Sequence, residues 1–184
     1  MSSNWTYLET EPYCIRYALA AWLLRDCVEV LEIGDEATTL LSFLQPLVSC
    51  TVVNPNVCAF DYQEGAARLR QIAASFQEVP TEQLNPANAN YGIALLGLEL
   101  YMDEAAWKRL AALVHNAQRT VVEFQPAQPY SIEQFEHLLK LSGCTRVQSY
   151  SIGIAAQGVE VPVLANATRE LFVLENREDA ARTD

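Results

Sequence analysis

Residues 28–56 read VEVLEIGDEATTLLSFLQPLVSCTVVNPN. The first six, Val28 to Ile33, form a β-branched, largely apolar run of strand length that stops at Gly34, the only glycine in the first 64 residues. That pattern predicts a buried strand ending in a tight turn. From Thr38 to Leu47 the leucines and Phe43 recur at helical spacing, and a second apolar run, Cys50 to Val53, stops at Asn54-Pro55-Asn56. Strand, glycine turn, helix, strand is a βαβ unit. Such a unit places its first turn and the following helix N-terminus at the carboxyl edge of the sheet, where ligands of open α/β sheets bind.

Working outward, Glu11-Pro12 leads a predicted helix from about Tyr13 to Asp26, whose stripe is Tyr13, Tyr17, Ala20, Ala21 and Leu24. Downstream, Asp61 opens a predicted helix with Tyr62, Ala66, Leu69, Ala73 and Phe76 on one face, and Pro80 marks its exit. A short third strand is expected around Val79, followed by the polar run Thr81 to Asn90. Tyr91 to Leu100 predicts the fourth strand, with Glu99 just past its carboxyl end. Asp103 then caps a helix with the stripe Trp107, Leu110, Ala111 and Val114. Arg119 to Phe124 is the fifth strand and Gln125 to Pro129 closes it. Ser131 and Gln134 form a capping box for a helix that packs Phe135, Leu138 and Leu139 and ends at Gly143. Two more strands, Arg146 to Ile154 and Arg169 to Leu174, complete the pattern, and residues 176–184 form a polar tail.

The edge residues narrow the ligand. A nicotinamide dinucleotide fingerprint needs glycines at 34, 36 and 39, and the chain has Gly34, Glu36 and Thr39, so that reading fails. Glu32-Ile33-Gly34, an acid two places before the glycine, resembles the start of the first motif of class I S-adenosylmethionine-dependent methyltransferases. The likeness extends over most of the chain through its β/α order and terminal strand pair. The family pattern is acid-x-Gly-x-Gly-x-Gly; here Glu36 and Thr38 stand at the second and third glycines. Small-molecule methyltransferases of the catechol type lack the middle glycine and use small residues later in the turn, a place that Ala37 and Thr38 fill. The family's ribose-binding acid at the end of the second strand corresponds to Asn54, a neutral amide and a weaker acceptor. The acid that binds the adenine amino group is missing from Leu84 to Asn90, or displaced to Glu82.

The resemblance implies a three-layer Rossmann-like α/β fold, with a mainly parallel sheet and a C-terminal antiparallel strand. It implies one domain over residues 1–175, with 1–27 as N-terminal lid segment and helix and 176–184 as tail. The implied cofactor-binding set is Glu32, Gly34, Ala37, Thr38 and Asn54, and any small ligand sits above Gly34, Asn54 and Glu99. Glu99 is the candidate catalytic acid, against a loop or capping role. Trp5, Tyr7, Tyr13 and Tyr17 are either an aromatic gate for a small substrate or ordinary packing.

Composition bounds the partners. The chain has 184 residues, half of them hydrophobic, a formal charge of −11 and a pI near 4.6. An excess of acid disfavours nucleic acid and anionic membranes, whose affinity rests on Lys and Arg. No apolar run reaches membrane-spanning length and no leader pattern opens the chain. Five cysteines, Cys14, Cys27, Cys50, Cys58 and Cys144, lie scattered without a C-x-x-C pair, the usage expected of reduced, buried thiols in a cytoplasmic protein. His115 and His137 fall on separate helices as partly exposed residues, and no metal site is expected.

Three functions compete on this reading. One is an active S-adenosylmethionine-dependent methyltransferase acting on a small molecule or protein, favoured by Gly34, Ala37, Thr38 and the aromatic N-terminus. The second is a methyltransferase-fold protein with eroded cofactor motifs, serving as a non-catalytic partner or regulatory protein, favoured by Glu36, Asn54 and the missing adenine acid. The third, a binding module for a different ligand on the same edge, has no residue in its favour. The absence of a Ser/His/Asp set does not count against methyl transfer, which needs mainly proximity and alignment.

Overall fold

A computed structural model describes residues 16–34, 40–45, 47–55, 69–96, 102–124, 129–152 and 169–176. One seven-stranded sheet organises them. In chain order the elements are helix α1 (16–23), β1 (Glu29–Ile33), a single 3-10 turn (Leu40–Phe43), β2 (Ser49–Val53), β3 (Leu69–Ile72), a second 3-10 turn (Phe76–Glu78) and the one-turn helix α2 (Thr81–Leu84). There follow β4 (Tyr91–Leu95), α3 (Glu104–Asn116), β5 (Arg119–Phe124), α4 (Pro129–Ser142), β6 (Thr145–Ile152) and β7 (Arg169–Glu175).

The strand order is β3-β2-β1-β4-β5-β7-β6. β1 pairs in parallel with β2 and β4, which continue in parallel to β3 and β5. β7 inserts antiparallel between β5 and β6. The first strand is therefore interior, and the sheet order reverses at β1, with β2 on one side and β4 on the other. That reversal is a topological switch point, which opens a crevice at the carboxyl ends of the strands.

Side chains alternate across the sheet and make two cores. On one face Leu31, Ile33, Val53, Ile93, Leu95 and Val122 meet Trp107, Leu110 and Val114 of α3 and Leu138 of α4. On the other, Val30, Ala94, Leu96, Val121 and Val173 meet Tyr17, Ala20, Leu23 and Leu24 of α1 together with Leu40. Being covered on both faces explains why β1 and β4 are nearly continuous apolar runs. Each fully buried Leu contributes about 1.5–3 kcal/mol, so Leu23 and Leu24 alone hold α1 firmly to the sheet.

Several sequence expectations hold to the residue. β5 spans Arg119–Phe124, the Asp103 carboxylate accepts from Ala106 N at 2.7 Å as N-cap, and the α3 stripe Trp107, Leu110, Ala111, Val114 is buried. Gly143 adopts φ of 69° directly after α4 and donates to Leu139 O, the left-handed helix stop for which glycine is suited. Cys27, Cys50 and Cys144 are free and buried; Cys14 and Cys58 lie outside the described residues.

Other boundaries move. The helix expected from Thr38 to Leu47 is, where described, a single 3-10 turn, Leu40–Phe43, closed by Leu44 N to Leu41 O. Pro46 carries no N–H and disfavours helical backbone at Gln45, so the turn cannot propagate before β2 begins. The helix expected from Asp61 to Phe76 is contradicted over Leu69–Ile72, which is strand β3, and the third strand is there rather than at Val79. Residues 61–68 lie outside the described set. The three- and four-residue apolar spacing of Leu69, Ala73 and Phe76 mimics a helix, but pairing with β2 supplies the ladder hydrogen bonds that decide the matter. α4 begins at Pro129, two residues before the expected Ser131 cap, because proline's fixed φ suits the first helical position. β4 ends at Leu95, short of the expected Leu100, with 97–101 outside the described residues.

Candidate ligand site at the carboxyl edge

Gly34, Asn54 and Leu96 sit side by side at the ends of the three strands flanking the switch point. Gly34 N donates to Val53 O at 3.2 Å, Asn54 N to Ile72 O at 3.1 Å and Leu96 N to Ile33 O at 3.1 Å, so the ladder reaches each of them and stops. The expected pairing of Gly34 with Asn54 at one edge is what the parallel register of Ile33 with Val53 produces.

Glu32 lies one pleat below, on the α1 face, opposite Val52 of β2 and Ala94 of β4. It is 4% exposed, and its carboxyl accepts a hydrogen bond from Leu40 N at 2.8 Å. Burial pushes its pKa from the ordinary 4.5 up to about 8; the Leu40 N–H and the positive charge of Arg16 oppose that rise without reversing it. At neutral pH Glu32 is thus carried mainly as the neutral acid, tying the end of β1 to the first 3-10 turn. Cys50, on β2 and facing the same side, has its thiol pushed well above the usual range by burial and by the nearby Glu32, which favours the protonated thiol.

Two residues that sequence reasoning passed over complete the cluster. Arg16 of α1 donates through one terminal nitrogen to both carboxylate oxygens of Glu123 on β5, at 2.6 and 2.8 Å, with side chains 2% and 1% exposed. The guanidinium lies 5.0 Å from the centroid of the Tyr17 ring. Signals for both were present. Arg16 stands four residues before Ala20, on the buried stripe of its helix, and Glu123 alternates with Val121 on the buried face of an apolar strand. A charge at such a position requires a buried partner.

The remaining expected site residues divide as follows. Ala37 and Thr38, with Glu36, lie outside the described residues, as do Glu99 and the aromatic residues Trp5, Tyr7 and Tyr13. Tyr17 is 1% exposed and stacks on Phe43 at 6.2 Å, which makes it packing between α1 and the first 3-10 turn rather than a gate. The stretch expected to carry an adenine-binding acid, Leu84 to Asn90, lies well past the end of the third strand, because β3 ends at Ile72. The first acid after it is Glu78, which accepts from both N and Oγ of Ser75 and so closes a local turn. His115 Nδ1 is 2.9 Å from Ser142 O, and His137 packs edge-on against Trp107 with Nε2 3.5 Å from Glu104, so both histidines join α3 to α4 or its end.

No group of three metal-ligating side chains occurs among the described residues, and no described helix is long and apolar enough to cross a membrane. A shallow depression of about 520 Å³ lies at the amino edge, lined by Asn90, His115, Asn116, Gln118 and Asn176. Its amide N–H groups serve the fold: Asn90 donates to Asp26 O, Asn116 to Ala112 O and Asn176 to His115 O.

The chemistry of the carboxyl edge follows from these placements. Gly34 leaves the end of β1 without a side chain, Asn54 carries an amide, the type of group that bonds a hydroxyl, and Glu32 holds Leu40 N on the α1 face. Asn54 suits a nucleoside-bearing cofactor only in part, since that side chain is neutral and only 4% exposed.

Neither a protein-family model nor a curated protein sequence matches the chain. Solved structures do. The Burkholderia thailandensis 1,6-didemethyltoxoflavin-N1-methyltransferase, with 1,6-didemethyltoxoflavin and S-adenosylhomocysteine bound, aligns at TM-score 0.63 and 13% identity over 93% of this chain and 80% of its own. The N-methyltransferase NodS of Bradyrhizobium japonicum WM9 aligns at 0.53 and 14% identity over 90% and 97%. An S-adenosylmethionine-dependent methyltransferase of Leishmania major aligns at 0.56 and 11% over 91% and 72%. With the interior first strand, the reversal at β1 and the inserted antiparallel β7, these alignments show that the chain has the Rossmann-like fold of the class I S-adenosylmethionine-dependent methyltransferases.

Proposed function

We propose that this chain is a methyltransferase-fold protein with a weakened cofactor edge, which binds S-adenosylmethionine poorly or not at all and acts as a non-catalytic partner or regulatory protein in the cytoplasm. The observation that carries this reading is Asn54. At the end of β2, where the family holds the ribose with a carboxylate, the chain presents a buried amide. Replacing an ionised acceptor by a neutral one gives up the stronger class of hydrogen bond. Glu36 adds to the loss if its side chain faces the pocket: a second acid beside a cofactor carboxylate, at about 5 Å and an effective dielectric of about 20, then costs on the order of 3 kcal/mol, or roughly a hundredfold in affinity. S-adenosylmethionine, when bound, supplies an electrophilic methyl group; in this chain Gly34 and Asn54 are the residues that would hold it. With a formal charge of −11, the partner is a protein or small molecule rather than nucleic acid or an anionic membrane.

Calorimetric titration with S-adenosylmethionine and S-adenosylhomocysteine tests the reading. Binding is expected to be weak or undetectable in the natural protein and to rise measurably in the Glu36→Gly, Asn54→Asp double variant. Low-micromolar affinity in the natural protein would overturn it. The second reading, an active methyltransferase on a small molecule or protein, draws support from Gly34 at the switch point and from structural neighbours that hold S-adenosylhomocysteine.

A further inference from the structure

The depression at the amino edge lies at the opposite end of the sheet from Gly34, and its polarity is one-sided. It holds about 520 Å³, within the range of small-ligand sites, where the chain enters β4 and β5 and leaves α3 and β7. Asn90 Nδ2 donates to Asp26 O at 3.2 Å and Asn116 Nδ2 to Ala112 O at 2.8 Å, so each amide commits its nitrogen to the protein and leaves its oxygen as the unused arm. His115 Nδ1 is 2.9 Å from Ser142 O; a carbonyl oxygen only accepts, so Nδ1 carries the proton and Nε2 of the neutral ring is a bare acceptor. These three acceptors have no donor among the described residues. Gln118 runs the other way, its Oε1 accepting from Cys27 Sγ and its amide nitrogen remaining as a donor. The same lining includes the last turn of α3, which ends at Asn116 and has the partial negative charge of a helix C-terminus. No Lys or Arg lines the depression among the described residues, and the whole chain has a formal charge of −11.

We propose that this depression binds a small organic cation bearing N–H groups, a primary ammonium or a guanidinium, through Asn90 Oδ1, Asn116 Oδ1 and His115 Nε2. Such a group offers donors to three unused acceptors and positive charge to the end of the helix dipole, in charge-assisted hydrogen bonds. An anion meets the same acceptors and helix end as repulsion and finds no cation to pair with. A cation without N–H groups gains only the long-range attraction and leaves the acceptors to water. Asn90, His115 and Asn116 are exposed, so solvent competes for each bond and the binding expected is in the millimolar range. The site stands whether or not a cofactor binds the carboxyl edge.

Proton–nitrogen NMR at pH 8 tests the site, with agmatine, N-acetylarginine methylamide and tetramethylammonium as titrants. Agmatine is expected to shift the side-chain amide of Asn90 saturably, and tetramethylammonium, which has no N–H, to shift it several-fold less at equal concentration. Read at Asn90, Asn116→Asp, which supplies a charged acceptor, is expected to tighten agmatine binding at least fivefold, and Asn116→Ala to weaken it at least threefold. Asn116 is exposed at the end of its helix, so neither change threatens the fold. The blocked arginine separates two sources of the same chemistry: binding as tight as that of agmatine assigns the site to an arginine side chain of a partner protein, and its exclusion assigns it to a free amine. Agmatine shifts that are absent or grow without saturation, equal shifts from tetramethylammonium, or an affinity unmoved by both Asn116 variants would overturn the proposal.

Discussion

Gly92 is the second residue of β4, and it lies where α1 comes down onto the sheet. A Cβ built there would meet Leu24 Cδ2 at 2.7 Å and Cys27 Sγ at 2.8 Å. Contact between such atoms is comfortable at about 3.5–4.0 Å, so Gly92→Ala must push two side chains away by most of an ångström. Leu24 is 0% exposed and Cys27 4%, so neither has solvent to move into. Overpacking of this kind costs about 1–3 kcal/mol. The loss is offset by about 0.4–1 kcal/mol because alanine restricts the unfolded chain more than glycine does. The expected net destabilisation is about 1–2 kcal/mol, which for a domain of this size lowers Tm by roughly 2–8 °C. Urea unfolding followed by far-ultraviolet circular dichroism measures it, with the midpoint falling and the slope unchanged. The clash also predicts coupling: Cys27→Ala removes one of the two offending atoms, so Gly92→Ala should cost less in that background by about 0.5 kcal/mol or more. Stability equal to or above that of the natural protein, or strict additivity with Cys27→Ala, would refute the packing argument.

Two further predictions follow from buried polar groups. Glu32 has a folded pKa near 8 against an ordinary 4.5, so the folded state holds its proton more tightly than the unfolded state between those values; stability is full below about pH 4.5 and falls as pH rises toward 8. Glu32→Gln, which keeps an acceptor for Leu40 N, should match the natural protein at low pH and exceed it at pH 9 by at most about 5 kcal/mol, and parallel stability curves from pH 5 to 9 would show that Glu32 is not the group responsible. Thr120 is 1% exposed with no hydrogen-bond partner for its hydroxyl among the described residues, so the near-isosteric Thr120→Val should raise stability by about 1 kcal/mol in the same urea assay; a loss of stability would mean that the hydroxyl is bonded after all.

The parts of this molecule legible in its sequence are those governed by neighbours along the chain. The largely apolar run Val28–Ile33 stopping at Gly34 is a buried strand and its end, because a strand covered on both faces needs apolar residues on each, here Val30 on one and Leu31 and Ile33 on the other, with Glu32 a buried exception. Asp103 and Gly143 announce a helix start and a helix stop through their own backbone and side-chain chemistry. From these the β/α order, the antiparallel close and the adjacency of Gly34 and Asn54 at the carboxyl edge followed. Gly92 could have been read as well, since a glycine inside a strand often marks a close approach of other groups.

What the tertiary structure alone decided depends on partners that local spacing cannot reveal. Leu69–Ile72 lies within helical apolar spacing and becomes a strand because β2 offers it a ladder, and that single shift moves the end of the third strand from Val79 to Ile72. The charge state of the site is likewise a tertiary property. Glu32 reads in sequence as an ordinary family acid, yet enclosure by α1, β2 and the first 3-10 turn takes it out of water and leaves it holding its proton. Arg16 and Glu123 look like isolated charges on apolar stripes until the fold brings them to 2.6 Å, because removing both from water is tolerable only when each neutralises the other.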